Sequence, residues 1–287
     1  MAMTELARLS ALEIAQLIRR RQLSPTEVTV YFLQRIERRN PELGSFVYVD
    51  AEAALADAQA KTEQLMTLAP EALPPFFGVP TAIKDLNRVA GMPTGYGVAA
   101  LYAQPQPAPA DDGIVARLRE AGFILLGKTA TSELGSFPYT ETPGLPPARN
   151  PWNLDYTPGG SSGGASSAVA AGLIPVAHGS DGGGSLRGPA SCCGLVGLKP
   201  SRGRISNAPV GDYQSGIASG GALTQTVADS AALLDVLAGY TTGDPYWLPA
   251  PEISFLESLE RPLPRIKIAF TTQMRPFPPA DEVSQRG

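Results

Sequence analysis

Metal and redox chemistry have little to work with in this sequence. The 287 residues include one histidine, His178, and two cysteines, Cys192 and Cys193, which are neighbours. That set cannot build an ordinary zinc site, so no metal is expected. Adjacent cysteines do not staple distant parts of a chain, and a reducing cytoplasm fits. Charge is also sparse: 17% of residues are Asp, Glu, Lys or Arg, against about 25% in typical domains. The net charge is −4 and no basic stripe stands out, which argues against nucleic acid as a partner. The densest basic run, Arg19 to Arg21, ends a predicted helix, where cations suit the helix dipole. No apolar run approaches the ~20 residues of a membrane helix. The opening stretch MAMTELARLSALEIAQLIRRR is amphipathic and predicts no secretory leader. No internal repeat is visible.

Glycine and proline, by contrast, are abundant, at 30 and 28 residues. They imply many turns and close backbone approaches. Between them lie regular elements. Ser10-Ala-Leu-Glu13 and Ser24-Pro-Thr-Glu27 are capping boxes that open two helices, with Val28, Phe32 and Ile36 on one face of the second. An Ala-rich run over 50–68 predicts a third helix, partly exposed. GVPTAIKD predicts a strand ending at Lys84, 112–121 a helix, and FILLGKT a buried strand. Residues 135–160 read as loop, SSGGASSAVAAG as a helix of small residues, LIPVAHGSD as a strand, and Thr226 to Val236 as a helix. RIKIAFT predicts a last strand over 265–271, and PADEVSQRG the first turn of a helix. Alternating helices and strands predict an α/β fold with a parallel or mixed sheet.

The segment from Gly122 to Thr129 satisfies the phosphate-loop pattern G-x-x-x-x-G-K-T letter for letter. A phosphate loop follows a strand and opens a helix, with its amides free. Here a helix precedes, and Phe, Ile, Leu and Leu fill the variable positions. The pattern therefore predicts a helix-stop glycine and a core strand.

The stretch GSDGGGSLRG, residues 179–188, is more informative. Glycines let successive amides turn towards one point, as an oxyanion requires. Gly182, Gly183, Gly184 and Ser185 can form such a nest, although a plain flexible turn reads the same way. Ser185 as nucleophile needs a base. His178 lies in an apolar strand and reads as a core or rim residue. A buried, neutral lysine can replace histidine. Lys84 ends an apolar strand, but pairing with Asp85 at the surface is an equal reading of that residue alone.

PGGSSGGASSAVAAGLIPVAHGSDGGGSLRGPASCCGLVGLKPSRGR, nearly fifty residues from Pro158, closely resembles the amidase signature family, as does GVPTAIKD upstream. The resemblance extends more loosely from about residue 10 to the chain end. It implies a Ser-Ser-Lys triad for hydrolysis of linear carbon–nitrogen amide bonds. Ser185 matches the nucleophile, Ser161 the bridging serine after a cis peptide bond, and Lys84 the base. The amides of Gly182, Gly183, Gly184 and Ser185 match the oxyanion hole, and Asp181 and Arg187 the residues that hold its loop. The implied fold is one α/β domain over 1–287, with N-terminal helices over about 8–68 and a catalytic core over about 76–287. Its mixed sheet is covered by helices on both faces and lacks the C-terminal part of the fold. The expected partner is a small-molecule amide, with no cofactor, nucleic acid or membrane; a homodimer is the expected oligomer.

Within the family, DGGGS and LGSFPYTET look like 6-aminohexanoate cyclic-dimer hydrolases and general amidases. The A subunit of the tRNA-dependent glutamine amidotransferase is an alternative, although it usually carries DTGGS and a segment like SSLDQIGP where this chain has ASGGAL. An inactive fragment is another. Phe137, Tyr139 and Trp152 are candidates for an apolar or aromatic wall of the acyl pocket, or for core packing.

Overall fold

The computed structural model describes residues 3–269. Helix α1, Ala11–Arg19, carries the expected capping box at Ser10 and Glu13 and buries Ile14 and Ile18. Helix α2, Pro25–Leu43, carries the second box and stops at Gly44 in the left-handed region. Its residues Val28, Phe32 and Ile36, four apart, are buried in the core. Strand β1, Phe46–Val49, leads into α3, Ala51–Thr67, capped by Asp50. Strand β2 is Pro80–Lys84, followed by the short α4, Ala99–Tyr102, and by α5, Gly113–Glu120. Strand β3, Ile124–Thr129, is buried along its whole length.

β3 is the middle strand of a mixed three-stranded sheet, antiparallel to β1 and parallel to β2. The β2–α5–β3 crossover makes the parallel pair possible. The segment that mimics a phosphate loop is this strand. Gly122 follows α5 with φ of 95°, and Phe123 to Leu126 are core residues.

The second half repeats the use of small elements. Helix α6, Gly163–Ala170, is followed by β4, Val176–Asp181, α7, Arg187–Cys193, and β5, Val196–Gly197. Strand β6, Ser219–Thr224, precedes α8, Val227–Leu237, and α9, Phe255–Ser258. β6 pairs antiparallel with β4 on one side and β5 on the other. The single mixed sheet expected from the sequence is thus two three-stranded sheets, which meet where β2 faces β4. Side chains join them: Thr81 Oγ1 donates to the Val176 carbonyl at 3.0 Å, and the Lys84 N–H donates to His178 Nδ1 at 3.3 Å.

One apolar core runs from Leu6 to Leu237 and joins the N-terminal helices to both sheets. Asp229 reinforces that join. Its carboxylate accepts the N–H groups of Ala11 and Leu12 at 3.1 and 3.0 Å, so a residue of α8 satisfies the open end of α1. Residues 265–269 are irregular rather than the start of a strand. The remainder of that expected strand, and the helical turn expected near the last residue, lie outside the described residues. Among the described residues no helix is long and apolar enough to cross a membrane.

Candidate active site

Strand alternation divides the work of two neighbours. At the end of β2, Lys84 and Asp85 point to opposite faces. Asp85 is buried and accepts from Lys128 Nζ at 2.7 Å, from the Gly95 N–H at 3.0 Å and from the Tyr102 hydroxyl. The carboxylate that the sequence offered to Lys84 is therefore committed to Lys128, the lysine of the false phosphate loop.

Lys84 is 0% exposed and has no carboxylate at its amine among the described residues. Its Nζ lies 2.7 Å from Ser161 Oγ and donates to Ser180 Oγ at 3.1 Å. Burial lowers its pKa to about 7, against a partial upward pull from Asp181. A buried ammonium without a counter-ion is costly, so the neutral amine is favoured.

Ser161 follows a cis Gly160–Ser161 peptide bond. Gly160 has no room for a side chain: a Cβ there would fall 2.4 Å from the Tyr139 nitrogen. The Ser161 carbonyl accepts from the Ser132 N–H at 3.3 Å. These contacts fix the hydroxyl beside Lys84.

The loop after β4 carries Ser185. Asp181 anchors it, accepting the N–H groups of Gly184 at 2.7 Å, Leu186 at 3.1 Å and Arg187 at 3.3 Å. The Arg187 guanidinium closes the clamp with Nε and Nη2 each 2.9 Å from a carboxylate oxygen. Burial alone would raise the Asp181 pKa, but Arg187 and the three amides together hold it at about 2. The two residues hold the loop through these contacts. One detail needs correction. The Gly184 amide is occupied by Asp181, so the four-amide nest reduces to Gly182, Gly183 and Ser185, whose N–H groups have no acceptor among the described residues. Gly184 serves instead as the pivot, with φ of 124° that only glycine adopts readily.

Ser161, Ser185, Gly182 and Gly183 line one cavity of about 300 Å³. No hydrogen bond joins the Ser161 and Ser185 hydroxyls; they share the cavity wall. Its apolar lining comes from Leu86, Tyr96, Ile114, Leu134 and Tyr213. Phe137 and Tyr139 stack on each other outside it, half exposed, and Trp152 is 73% exposed with its Nε1 donating to the Cys193 carbonyl. All three lie outside the buried core, and none of them lines this cavity.

The sequence reading missed two lining residues, Ser180 and Gln214, while His178, read as a core or rim residue, is found there. Ser180 holds the Lys84 amine, and alternation in β4 was a signal for it, since Ser180 and His178 share one strand face. Gln214 packs its Oε1 against Gly182, 2.0 Å from where a Cβ would sit. It lies on a loop with left-handed φ at Gln214 and Ser215, which no local pattern announced. His178 is buried and also lines the cavity.

Comparison with known proteins places the chain among amidases. The family model described as Amidase matches residues 27–286. A Synechocystis sp. protein that bears a provisional amidase name is 57% identical over 98% of this chain and 55% of its own length. The acylamidase of Rhodococcus erythropolis is 40% identical over 93% of this chain and 55% of its own length. The solved structure of 6-aminohexanoate cyclic dimer hydrolase superposes with a TM-score of 0.82 at 37% identity, covering 90% of this chain and 52% of that one. The chain spans about half the length of the curated relatives it matches.

Proposed function

This chain belongs to the amidase (amidase signature) family, and from that premise we propose that it hydrolyses linear carboxylic amides through an acyl-enzyme on Ser185. The observation that carries the reading is the unpaired, buried amine of Lys84, 2.7 Å from Ser161 Oγ on the wall of the cavity that also holds Ser185. With the amine neutral, that contact runs from hydroxyl to nitrogen lone pair. Ser161 passes its proton to Lys84 and takes the proton of Ser185. Ser185 is half-buried on the same cavity wall, and the second link, from Ser185 to Ser161, closes once substrate is present.

Ser185 Oγ then forms a bond to the carbonyl carbon. The oxyanion accepts from the free amides of Gly182, Gly183 and Ser185, donors that in comparable sites lower the barrier by about 2.7 to 4 kcal/mol each. Collapse of the tetrahedral intermediate breaks the C–N bond, and the proton on Lys84 returns through Ser161 to the leaving nitrogen. Water, deprotonated by the same relay, cleaves the ester and frees the acid. A cavity of about 300 Å³ suits an acyl group of modest size. The name of the Rhodococcus acylamidase supports hydrolysis of an acyl amide, and a cytoplasmic setting fits the chain's unpaired cysteines.

A fluorophosphonate reagent should add to Ser185, located by peptide mass, and Ser185→Ala should abolish both labelling and turnover of aryl and aliphatic amides. Turnover falls by at least ~10³-fold when a serine nucleophile is removed. Labelling of a different serine would remove Ser185 from the mechanism.

A further inference from the structure

Ser161 meets the Lys84 amine from inside a stretch with little conformational preference of its own. Gly159, Gly160, Gly163 and Gly164 surround Ser161 and Ser162. Glycine leaves a backbone many conformations, so contacts from outside the stretch must select one. Helix α6 begins at Gly163 with Ser162 as its N-cap, a position where a serine hydroxyl ordinarily accepts an N–H of the first turn. Here it does not. Ser162 Oγ turns to β4, donating to the Ser180 carbonyl at 3.3 Å and accepting the Ser180 N–H at 3.4 Å.

Thr140, from the loop that precedes the stretch, takes over at the start of α6. It is 3% exposed. Its Oγ1 accepts the Gly163 N–H at 3.2 Å and donates to the Gly159 carbonyl at 3.0 Å. A hydroxyl can donate once and accept as well, so one side chain bonds the backbone on both sides of Ser161. The approach is close: a Cβ on Gly163 would stand 2.3 Å from Thr140 Oγ1. Thr140 is held in turn, its carbonyl accepting the Ala148 N–H at 2.9 Å. The contacts at Gly160 and at the Ser161 carbonyl do not tie the two flanks to each other. Lys84 sits on β2, whose backbone is fixed by pairing with β3. The 2.7 Å between Lys84 Nζ and Ser161 Oγ is thus set from one side by a sheet and from the other by the Thr140 hydroxyl.

We propose that Thr140 is a positioning residue for the relay: its hydroxyl staples Gly159 to Gly163 and thereby holds Ser161 Oγ at the Lys84 amine. Thr140 does not line the cavity and acts only through the backbone that carries Ser161. The proposal rests on the amide-hydrolase reading for the word relay, but the staple can be observed without it.

Thr140→Val keeps the shape of the side chain and removes the hydroxyl, whereas Thr140→Ser keeps the hydroxyl. With a fluorophosphonate, Thr140→Val should still label Ser185 to completion, but with kinact lower by about ten- to a hundredfold, the cost of a misplaced group, and KI unchanged. Thr140→Ser should recover most of the rate. A role in stability alone would lower Tm and the fraction labelled and leave kinact at the wild-type value; that result overturns the proposal, as does a Thr140→Ser rate no better than that of Thr140→Val. Thr140→Ala removes the same oxygen without burying a methyl in its place and should match Thr140→Val. If neither folds while Thr140→Ser does, the hydroxyl is a folding requirement and the positioning role falls. A wild type that the reagent leaves unlabelled counts against the hydrolase reading. The staple is then read by amide hydrogen exchange at Ser161 and Gly163, which should quicken in Thr140→Val and not in Thr140→Ser; exchange unchanged in both overturns it.

Discussion

At the scale of single residues, two lysines show how context sets chemistry. Lys84 and Lys128 are both fully buried, but among the described residues only Lys128 has a carboxylate partner. The amine without a carboxylate is the one proposed as the base. Its pKa of about 7 predicts an acid limb in kcat/KM, falling about tenfold per pH unit below that point because the ammonium cannot accept a proton. A rate profile level down to pH 4 would rule out a lysine base. The same pKa predicts a stability effect. The folded value of about 7 lies below the ordinary 10.5, so between these pH values the unfolded chain binds more protons and stability rises with pH. Below pH 7 the penalty for the buried ammonium is complete and constant. Lys84→Met should therefore stabilise the fold by on the order of a few kcal/mol at neutral pH and below. The gain should shrink towards zero near pH 10, as read by urea denaturation; a gain independent of pH would mean that the amine is solvated.

At the scale of elements, small residues mark where backbones touch. Helix α6 is built of glycine, alanine and serine because β3 and the start of β1 lie against it. A Cβ on Gly164 would fall 2.3 Å from the Ala130 nitrogen and 2.4 Å from the Ser45 carbonyl oxygen, neither of which can swing away. Gly164→Ala should cost about 1 to 3 kcal/mol and lower Tm by several degrees. An unchanged Tm would show that the helix does not pack there. The capping boxes, the stop at Gly122 and the strands ending at Lys84 and Asp181 were all legible, because each follows a local rule. So was the proximity of Lys84 to Ser161, through the resemblance. What was not legible depended on distant neighbours. β6 contains Gly220 and Gly221, poor strand formers that are needed because side chains there would strike Ile114 and Leu186. α7 begins with Arg187, Gly188 and Pro189, a weak helical signal outweighed by burial of Pro189, Ala190 and Cys193. In Asp229, the sequence showed a first-turn acid of α8 but not the helix it caps, more than two hundred residues away.

At the scale of the whole molecule, one core unites α1 and α2 with both sheets. Unfolding in urea should therefore be a single transition, coincident by circular dichroism and by hydrogen exchange at α1 and β4. Separate midpoints would mean that the N-terminal helices fold apart from the sheets. Asp229→Ala tests the join directly: it leaves the amides of Ala11 and Leu12 without their acceptor and should cost roughly 1 to 3 kcal/mol.

The pairing of β2 with β3 has a consequence for how the chain finds this arrangement. Sliding β2 by one position would send Asp85 towards the cavity and turn Lys84 towards Lys128. Two ammonium groups would then share a dry interior with no opposite charge, while a carboxylate faced a wall built for an acyl chain. Misthreading is thus penalised at the strand that carries Lys84. The nascent protein thus meets an electrostatic checkpoint at the amine proposed to begin the proton relay.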